Sequence, residues 1–174
     1  VTTEYVDELY EKGLLSNEDF DSETGTYNTK QNFDNAKKVN KDLGDRKLQA
    51  LNIDENSNKK SGKQSVGVSR QYNGNEGKIE NSQTGVFASL GSGEKVCLVY
   101  ARLYLPKEWT EDEKRCIKAG IPKKAIKFST KVQLAMDIIE ELDIHGIEYG
   151  WIGADSLYGQ GYEFANALDK KGKK

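Results

Sequence analysis

The chain has 174 residues, 36% of them hydrophobic and 31% charged, and a formal net charge of −2. This length suits one domain with a sizeable core, and no apolar stretch approaches the roughly 20 residues that a membrane-spanning helix needs. A single histidine, His145, argues against a histidine-based zinc site and against a Ser–His catalytic pair. Cys97 and Cys116 belong to no pairing motif and are expected as buried thiols in a reducing cytoplasm.

Residues 1–47 are polar, with Asn, Asp, Thr and Gly clustered between residues 16 and 35. We interpret this segment as loop, or as the remnant of an upstream region, and expect the folded domain to begin at residue 48. Its start lacks the basic and apolar regions of a signal peptide. The chain does not begin with methionine, which suggests a piece of a longer protein.

The small net charge conceals an uneven distribution of charged side chains. Residues 1–55 carry 13 acidic and 7 basic side chains (−6), residues 56–131 carry 15 basic and 7 acidic (+8), and residues 132–174 carry 8 acidic and 4 basic (−4). A basic middle between acidic ends suits a polyanion-binding surface beside a cation-binding carboxylate site. Ordinary solvated charge is the alternative interpretation.

Apolar runs predict three strands in succession from residue 47 onward. Residues 48–53 are predicted as the first strand, and the polar residues 56–62 as a basic loop. Residues 79–90 and 96–105 are predicted as the second and third strands. The Gly-Ser-Gly at residues 91–93 favours a hairpin between them.

A helix and a fourth strand are predicted next. Residues 109–127 form a charged excursion with room for one short helix. Ser129 or Thr130 can cap the following helix, and Gly146 ends it. The apolar residues that recur at helical spacing are Val132, Ala135, Ile139 and Leu142, widened by Met136 and Ile138.

Residues 147–154 are mostly apolar with little alternation, which is typical of a strand covered on both faces. A second helix is predicted to start after Gly159. The order of elements is therefore strand, strand, strand, helix, strand, helix. A helix crossover of this kind is nearly always right-handed, which would lay the fourth strand parallel to and beside the first.

Two aspartates, 101 residues apart, stand at the ends of the first and fourth predicted strands. Asp54 follows residues 48–53, and Asp155 follows residues 147–154. Because the carboxyl ends of parallel neighbours meet at one edge of a sheet, we expect the two carboxylates within about 8 Å of each other. Such a pair can share divalent cations.

The sequence between these aspartates carries the most distinctive motif of the chain. It reads SVGVSRQYNGNEGKIENSQTGV over residues 65–86 and is followed by RLYLP at residues 102–106 and by Trp109. With Asp54 and Asp155, it resembles insertion-sequence transposases of the DDE superfamily-endonuclease type over residues 51–159. The resemblance implies an α/β fold with a ribonuclease H-like mixed sheet: three antiparallel strands, a helix, and a fourth strand parallel to the first. Residues 48–174 would then be a partial catalytic domain that lacks its C-terminal part.

The resemblance also implies a triad of two aspartates and a glutamate on a later helix, with Mg²⁺ or Mn²⁺ as cofactor. Asp54 and Asp155 match the two aspartates. The family's glutamate lies much farther along than Glu163, which is only eight residues beyond Asp155, so the third acid is expected beyond this chain. Relatives carry two adjacent aspartates where this chain has Asp54 and Glu55, which leaves open which position is the ligand.

Basic residues around the predicted site are candidate DNA contacts, because their donors suit phosphate oxygens. They are Lys60, Lys63, Arg70 and Lys78, and solvated loop charge is the alternative for each. A structural role is favoured over DNA contact for four polar residues of the motif: Gln71, Tyr72, Asn81 and Gln83. Trp109 and Trp151 are interpreted as core anchors.

The implied function is that of a transposase catalytic core, which cuts DNA at element ends and joins the freed 3′ hydroxyl to a target. It would act in the cytoplasm, without a membrane, as a homo-oligomer in the full-length protein. One alternative is a truncated remnant that binds DNA or transposase subunits without catalysis, and another is a different ribonuclease H-like nuclease. With two acids only, the chain alone is expected to bind Mg²⁺ weakly and to show no strand transfer, since Mg²⁺ demands near-ideal octahedral coordination.

Overall fold

The computed structural model describes residues 30–159 and 162–170. Short 3₁₀ turns at Arg46–Leu48 and Lys123–Ala125 accompany the regular elements. In chain order these are α1 (Lys30–Asp42), β1 (Ala50–Lys59), β2 (Ser69–Asn73), β3 (Lys78–Ser92), β4 (Lys95–Leu103), α2 (Lys107–Thr110), α3 (Glu113–Lys118), α4 (Lys131–Ile144), β5 (Trp151–Ala154), α5 (Ser156–Gly159) and α6 (Tyr162–Lys170). Over these ranges, none of the helices is both long and apolar enough to cross a membrane.

The five strands form one mixed sheet in the order β2-β3-β1-β5, with β4 also paired to β3. Strands β2 and β3 are antiparallel, whereas β1 and β5 are parallel. The mixed sheet expected of a ribonuclease H-like fold is confirmed, and so is the pairing of the first strand with the last. Strand β2 is an addition to the predicted strands. Its buried positions, Ser69 and Asn73, are polar, so no apolar pattern marks it.

The described chain divides into two compact units. The first comprises residues 56–85 and 103–129 and is called the basic unit, because it holds 12 basic and 6 acidic side chains. The second comprises residues 30–55, 86–102, 130–159 and 162–170 and is called the carboxylate unit. The domain boundary expected at residue 48 stays a prediction, and residues 1–29 lie outside the described part.

Helix α1 corrects the expectation of loop over residues 30–42. Phe33 and Ala36 on this helix are buried in the carboxylate unit, and the Phe33 ring stacks on His145 with 3.4 Å between ring centroids. Only two apolar side chains carry this burial, and they lie among charged residues. The segment therefore reads as loop in the sequence.

Helix α4 has the predicted cap and stop. Between the two candidates the structure selects Thr130, whose hydroxyl accepts from the Gln133 backbone N–H at 3.1 Å while the Gln133 side chain accepts from the Thr130 N–H at 2.8 Å. Gly146 follows the helix with a φ of 74°, the left-handed conformation that favours glycine. The buried residues of α4 are Leu134, Ala135, Ile138, Ile139 and Leu142, so the predicted stripe shifts toward Leu134 and away from Val132.

Strand β5 is shorter and more exposed than predicted. Residues 147–150 are not strand, because the Ile147 N–H bonds back to the Leu142 carbonyl at 2.9 Å and closes the end of α4 in a Schellman arrangement. Ile147 is buried, whereas Trp151 is 53% exposed. The interpretation of Trp151 as a core anchor is therefore wrong. Strand β5 ends the strand order of the described sheet, and the Trp151 side chain lies largely in solvent.

The basic unit is organised around Trp109, whose role as a core anchor is confirmed. Trp109 is fully buried, and its indole N–H donates to the Val68 carbonyl at 2.8 Å. The Arg115 guanidinium lies 3.8 Å from the centroid of the Trp109 ring. Helix α3, which supplies Arg115, is the short helix predicted within residues 109–127, and Gly120 follows it with a φ of 86°.

Candidate carboxylate site

Asp54 lies within β1, which corrects its expected position at the end of a strand. Strand β1 continues to Lys59, so the loop predicted over residues 56–62 begins only after that residue. The second half of the strand shows no apolar pattern in the sequence, because its buried residue is Ser57. The Ser57 hydroxyl is 2.7 Å from that of Thr84. Polar pairing replaces apolar packing there.

The parallel pairing of β1 with β5 nevertheless ends at the two aspartates. Leu51 pairs with Ile152, and Ile53 pairs with Ala154. Asp54 and Asp155 are therefore each the first residue beyond the last pair. Neighbouring strands lie about 4.8 Å apart, so the register brings both residues to one edge of the sheet. The expected carboxylate separation of about 8 Å stays a prediction.

A buried amide network fixes the starts of β1 and β5 to the end of α1. The Asn40 side-chain amide donates to the Gln49 side chain at 2.8 Å and to the Glu148 carbonyl at 2.6 Å. The Gln49 side chain donates back to the Asn40 carbonyl at 2.8 Å. Asn40 and Gln49 are 2% and 0% exposed, so breaking either link would leave a buried polar group unpaired. At Gly150, a Cβ would overlap the Lys47 backbone, so the approach of β5 requires glycine.

The two aspartates are exposed and locally oriented. The Asp54 carboxylate accepts from the Glu55 N–H at 2.7 Å. The Asp155 carboxylate accepts from the Leu157 N–H at 2.9 Å, and its carbonyl accepts from the Tyr158 N–H at 3.2 Å. Asp155 thereby caps the one-turn helix α5. Each carboxylate uses one oxygen in these bonds, and the other oxygen has no partner among the described residues.

Glu55, beside Asp54, is held by a lysine from α4. The Lys131 ammonium lies 2.7 Å from one Glu55 oxygen, and both side chains are about one quarter exposed, at 22% and 24%. The second Glu55 oxygen is buried and has no hydrogen-bond partner within residues 30–159 and 162–170. Glu55 therefore presents one neutralised oxygen and one unsatisfied oxygen next to Asp54.

Tyr158 brings a buried hydroxyl to the same site. Its side chain is 1% exposed, and its hydroxyl has no hydrogen-bond partner in the described part of the chain. Burial raises the pKa of Tyr158, and the negative charges of Glu55, Asp155 and Asp54 raise it further. The phenol therefore stays protonated at neutral pH. No motif in the sequence marks Tyr158 or Lys131, and only the closeness of Tyr158 to Asp155 in the chain points to the tyrosine.

The donor chemistry of the site suits a hard divalent cation. Carboxylate, carbonyl and water oxygens are the ligands that Mg²⁺ and Mn²⁺ prefer. No group of three His, Cys, Asp or Glu side chains that could hold a metal ion is present in the described ranges. The described residues can therefore supply two carboxylates to a metal site, those of Asp54 and Asp155. Glu55 is not counted because it is paired with Lys131.

The candidate DNA contacts all lie in the basic unit. Arg70 is exposed on β2, and Lys63 lies in the loop before it, where its carbonyl accepts from Arg115 at 3.0 Å. Lys60 directly follows β1, and its backbone bonds to Asn81 at 2.9 and 2.7 Å. Lys78 is paired with Glu76 at 3.1 Å. The expectation that these four cations share a face with Asp54 and Asp155 stays a prediction.

Taken together, the fold and the aspartate pair define a ribonuclease H-like α/β protein with carboxylates at its parallel edge. Residues 36–174 match the DDE superfamily endonuclease family, and the chain belongs to this family. A relative, the probable transposase for insertion sequence element IS701 of Microchaete diplosiphon, is 34% identical over 122 residues, which is 69% of this chain. The chain spans about 29% of that relative's length. No solved structure matches the chain.

Proposed function

We propose that this chain is part of the catalytic core of a DDE transposase and supplies Asp54 and Asp155 to metal-dependent DNA cleavage and strand transfer. The observation that carries the proposal is the register of β1 and β5, whose last pair is Ile53 with Ala154. Membership of the DDE superfamily endonuclease family supports it. The full-length protein would act in the cytoplasm as a homo-oligomer on element ends and target DNA.

Asp54 and Asp155 would hold Mg²⁺ or Mn²⁺ through their free oxygens. When bound, such cations activate the attacking oxygen and neutralise charge on the departing 3′ oxygen. The protein's own contribution is orientation: the Glu55 N–H fixes the Asp54 carboxylate, and the Leu157 N–H fixes that of Asp155. A third carboxylate, the glutamate that the family resemblance implies, would complete the set.

Lys60, Lys63, Arg70 and Lys78 would contact DNA phosphates. Their unit carries an excess of basic over acidic side chains, 12 against 6, which suits a polyanion. Each phosphate contact contributes about −0.9 to the slope of log affinity against log salt concentration. Arg70→Gln should therefore flatten that slope by about 1, whereas Lys78→Gln should change it less, because Glu76 and Glu80 already neutralise Lys78.

A catalytically inactive remnant that binds DNA or transposase subunits is the second candidate. The observation that favours it is the absence, over the described residues, of any three-ligand group that could hold a metal. The two candidates differ in what the aspartates do. In a catalytic core Asp54 and Asp155 bind a cation together, and in a remnant they need bind nothing.

Manganese binding to the purified 174-residue chain separates the two, with the electron paramagnetic resonance signal of free Mn²⁺ as readout. Asp54→Asn and Asp155→Asn should each weaken binding by about tenfold or more, since one charged ligand of two is lost. Asp34→Asn, an exposed aspartate on α1, is the matched control and should bind like the parent. Equal Mn²⁺ affinity in all four chains would contradict the catalytic proposal.

The same samples should be incubated with pre-cut duplex DNA and Mn²⁺. We expect no strand transfer from the chain alone, because two carboxylates leave a cation pair short of ligands. Robust cleavage that disappears in Asp155→Asn would mean that the chain already carries a complete site.

A further inference from the structure

The β2–β3 hairpin of the basic unit has an inverted distribution of polar and apolar side chains. An antiparallel pair with one solvated face ordinarily turns its apolar residues inward and its polar residues outward. Here the buried positions are Ser69, Asn73, Glu80 and Ser82, each at most 8% exposed. On the opposite face, Tyr72 and Ile79 are 60% and 62% exposed.

Tyr72 and Ile79 lie directly opposite each other across the hairpin. Opposed side chains of an antiparallel pair have Cβ atoms about 5 Å apart, so the two form one continuous apolar surface. Arg70 is two residues from Tyr72 on the same face, opposite Asn81. The exposed face is therefore an aromatic ring and an aliphatic side chain flanked by a guanidinium.

Hydrogen bonds and an ion pair hold the hairpin on its inward face. The Asn73 side chain donates to Glu80 at 2.8 Å, and Lys59 lies 3.6 Å from Glu80. In the turn, the Asn75 side chain donates to the Ser57 carbonyl at 3.0 Å. Polar bonds on the buried face thus fix the register of the hairpin. In this register Tyr72 and Ile79 lie on the opposite, solvent-exposed face.

Charge favours one occupant for this surface. The basic unit has an excess of cations, and the Arg70 side chain makes no hydrogen bond or ion pair with any other described residue. A flat aromatic surface beside an unengaged guanidinium in a basic surrounding is the combination that binds single-stranded nucleic acid, through base stacking and phosphate contact. A protein partner of neutral or basic surface would leave Arg70 unpaired.

We propose that Tyr72 and Ile79 form a stacking surface for an unpaired DNA base and that Arg70 contacts the adjoining phosphate. This rests on the proposed function for its ligand class, DNA, and adds a site to it. The structural role predicted for Tyr72 from sequence is replaced here by ligand contact, because its side chain lies in solvent.

Fluorescence anisotropy with a labelled 12-nucleotide single strand and a blunt duplex of the same sequence tests the proposal on the full chain. Tyr72→Ala should weaken single-strand binding about tenfold, and Ile79→Ala should weaken it to a smaller extent. Tyr72→Phe keeps the stacking ring and should stay within about twofold of the parent. Val96→Ala, at an equally exposed β-branched residue of β4, should have no effect.

Single-strand affinity that is unchanged in Tyr72→Ala would overturn the proposal. So would an equal loss on the blunt duplex, which would indicate phosphate contact without stacking, or the absence of DNA binding at low salt. Mn²⁺ binding tests the role of Asp54 and Asp155 independently of the stacking surface. If the parent chain binds no Mn²⁺ but its single-strand binding still depends on Tyr72, the catalytic proposal is contradicted and the stacking proposal is not.

Discussion

Lys131, the first residue of α4, lies 2.7 Å from the Glu55 carboxylate and thereby joins the helix to the strand that carries Asp54. The pair bears on which position of β1 serves as the metal ligand. One Glu55 oxygen is held by the Lys131 ammonium and the other is buried, whereas Asp54 is exposed and has an oxygen with no partner in the described chain. Asp54 is therefore the better candidate for the first ligand.

Replacing Lys131 by methionine tests this reading. Removing one positive charge beside the aspartates should tighten Mn²⁺ binding about threefold or more, because like charges repel across a few ångströms. The same change leaves Glu55 partly buried and without its cation, and should lower the free energy of unfolding by about 1–2 kcal/mol. Mn²⁺ titration and urea denaturation measure the two effects.

Lys123→Met is the matched control, because Lys123 forms an exposed ion pair with Glu113 at 2.9 Å and should change stability by less than about 0.5 kcal/mol. If Glu55→Gln reduces Mn²⁺ binding as strongly as Asp54→Asn does, Glu55 is the ligand and the reading is wrong.

The cap of α4 gives a second prediction. Thr130→Ala removes the hydroxyl that accepts from the Gln133 N–H and should lower the free energy of unfolding by about 1 kcal/mol. Ser129→Ala, one residue earlier, should lower it by less than about 0.3 kcal/mol, because the cap is already supplied. Urea denaturation followed by far-ultraviolet circular dichroism compares the two variants, and equal losses would assign the cap to neither residue.

The sequence predicts an element of this fold well where the buried residues of that element are apolar, and poorly where they are polar. Apolar periodicity located α4, with Ile138, Ile139 and Leu142 buried as expected, and it located β3 and β4 to within a few residues. Helix α1 and strand β2 were missed. The buried residues are Phe33, Ala36 and Asn40 in α1 and Ser69 and Asn73 in β2. Two apolar residues in one element and none in the other leave no apolar periodicity to detect.

The candidate site can be predicted only in part from the sequence. The order of strands and helices is sufficient to pair β1 with β5 and so to bring Asp54 and Asp155 to one edge of the sheet. Lys131 and Tyr158 could not be inferred, since their approach depends on where α4 and α5 pack. The mostly apolar run at residues 147–154 predicts a covered strand that would bury Trp151. Instead, Ile147 belongs to the helix end and only Trp151–Ala154 pair with β1.

The two cysteines should differ in reactivity, which gives a third prediction. Cys116 is fully buried, and burial raises the pKa of its thiol, with the negative charge of Asp112 adding to the effect. A raised folded-state pKa keeps the thiol protonated. Its contribution to stability is fully present below the ordinary thiol pKa of the unfolded chain and is lost as pH rises through the higher folded-state pKa. At pH 8, alkylation should modify Cys97 first and reach Cys116 only on unfolding.

A Cys97→Ser chain isolates the second thiol for this measurement. In it, the rate of labelling by iodoacetamide should follow the unfolding rate in urea. Rapid labelling of Cys116 in the native chain at pH 8 would contradict the burial described here.

Iron-directed backbone cleavage tests the central claim most directly, namely that Asp54 and Asp155 hold one divalent-cation site. Fe²⁺ suits the same carboxylate oxygens as Mn²⁺, and with ascorbate and peroxide it cuts polypeptide close to where it is bound. Mass spectrometry should find cuts near both Asp54 and Asp155, suppressed together by excess Mg²⁺ and lost together in Asp54→Asn and in Asp155→Asn, but retained in Asp34→Asn. Cuts near only one aspartate, or cuts at both that persist in either Asn variant, would contradict the account.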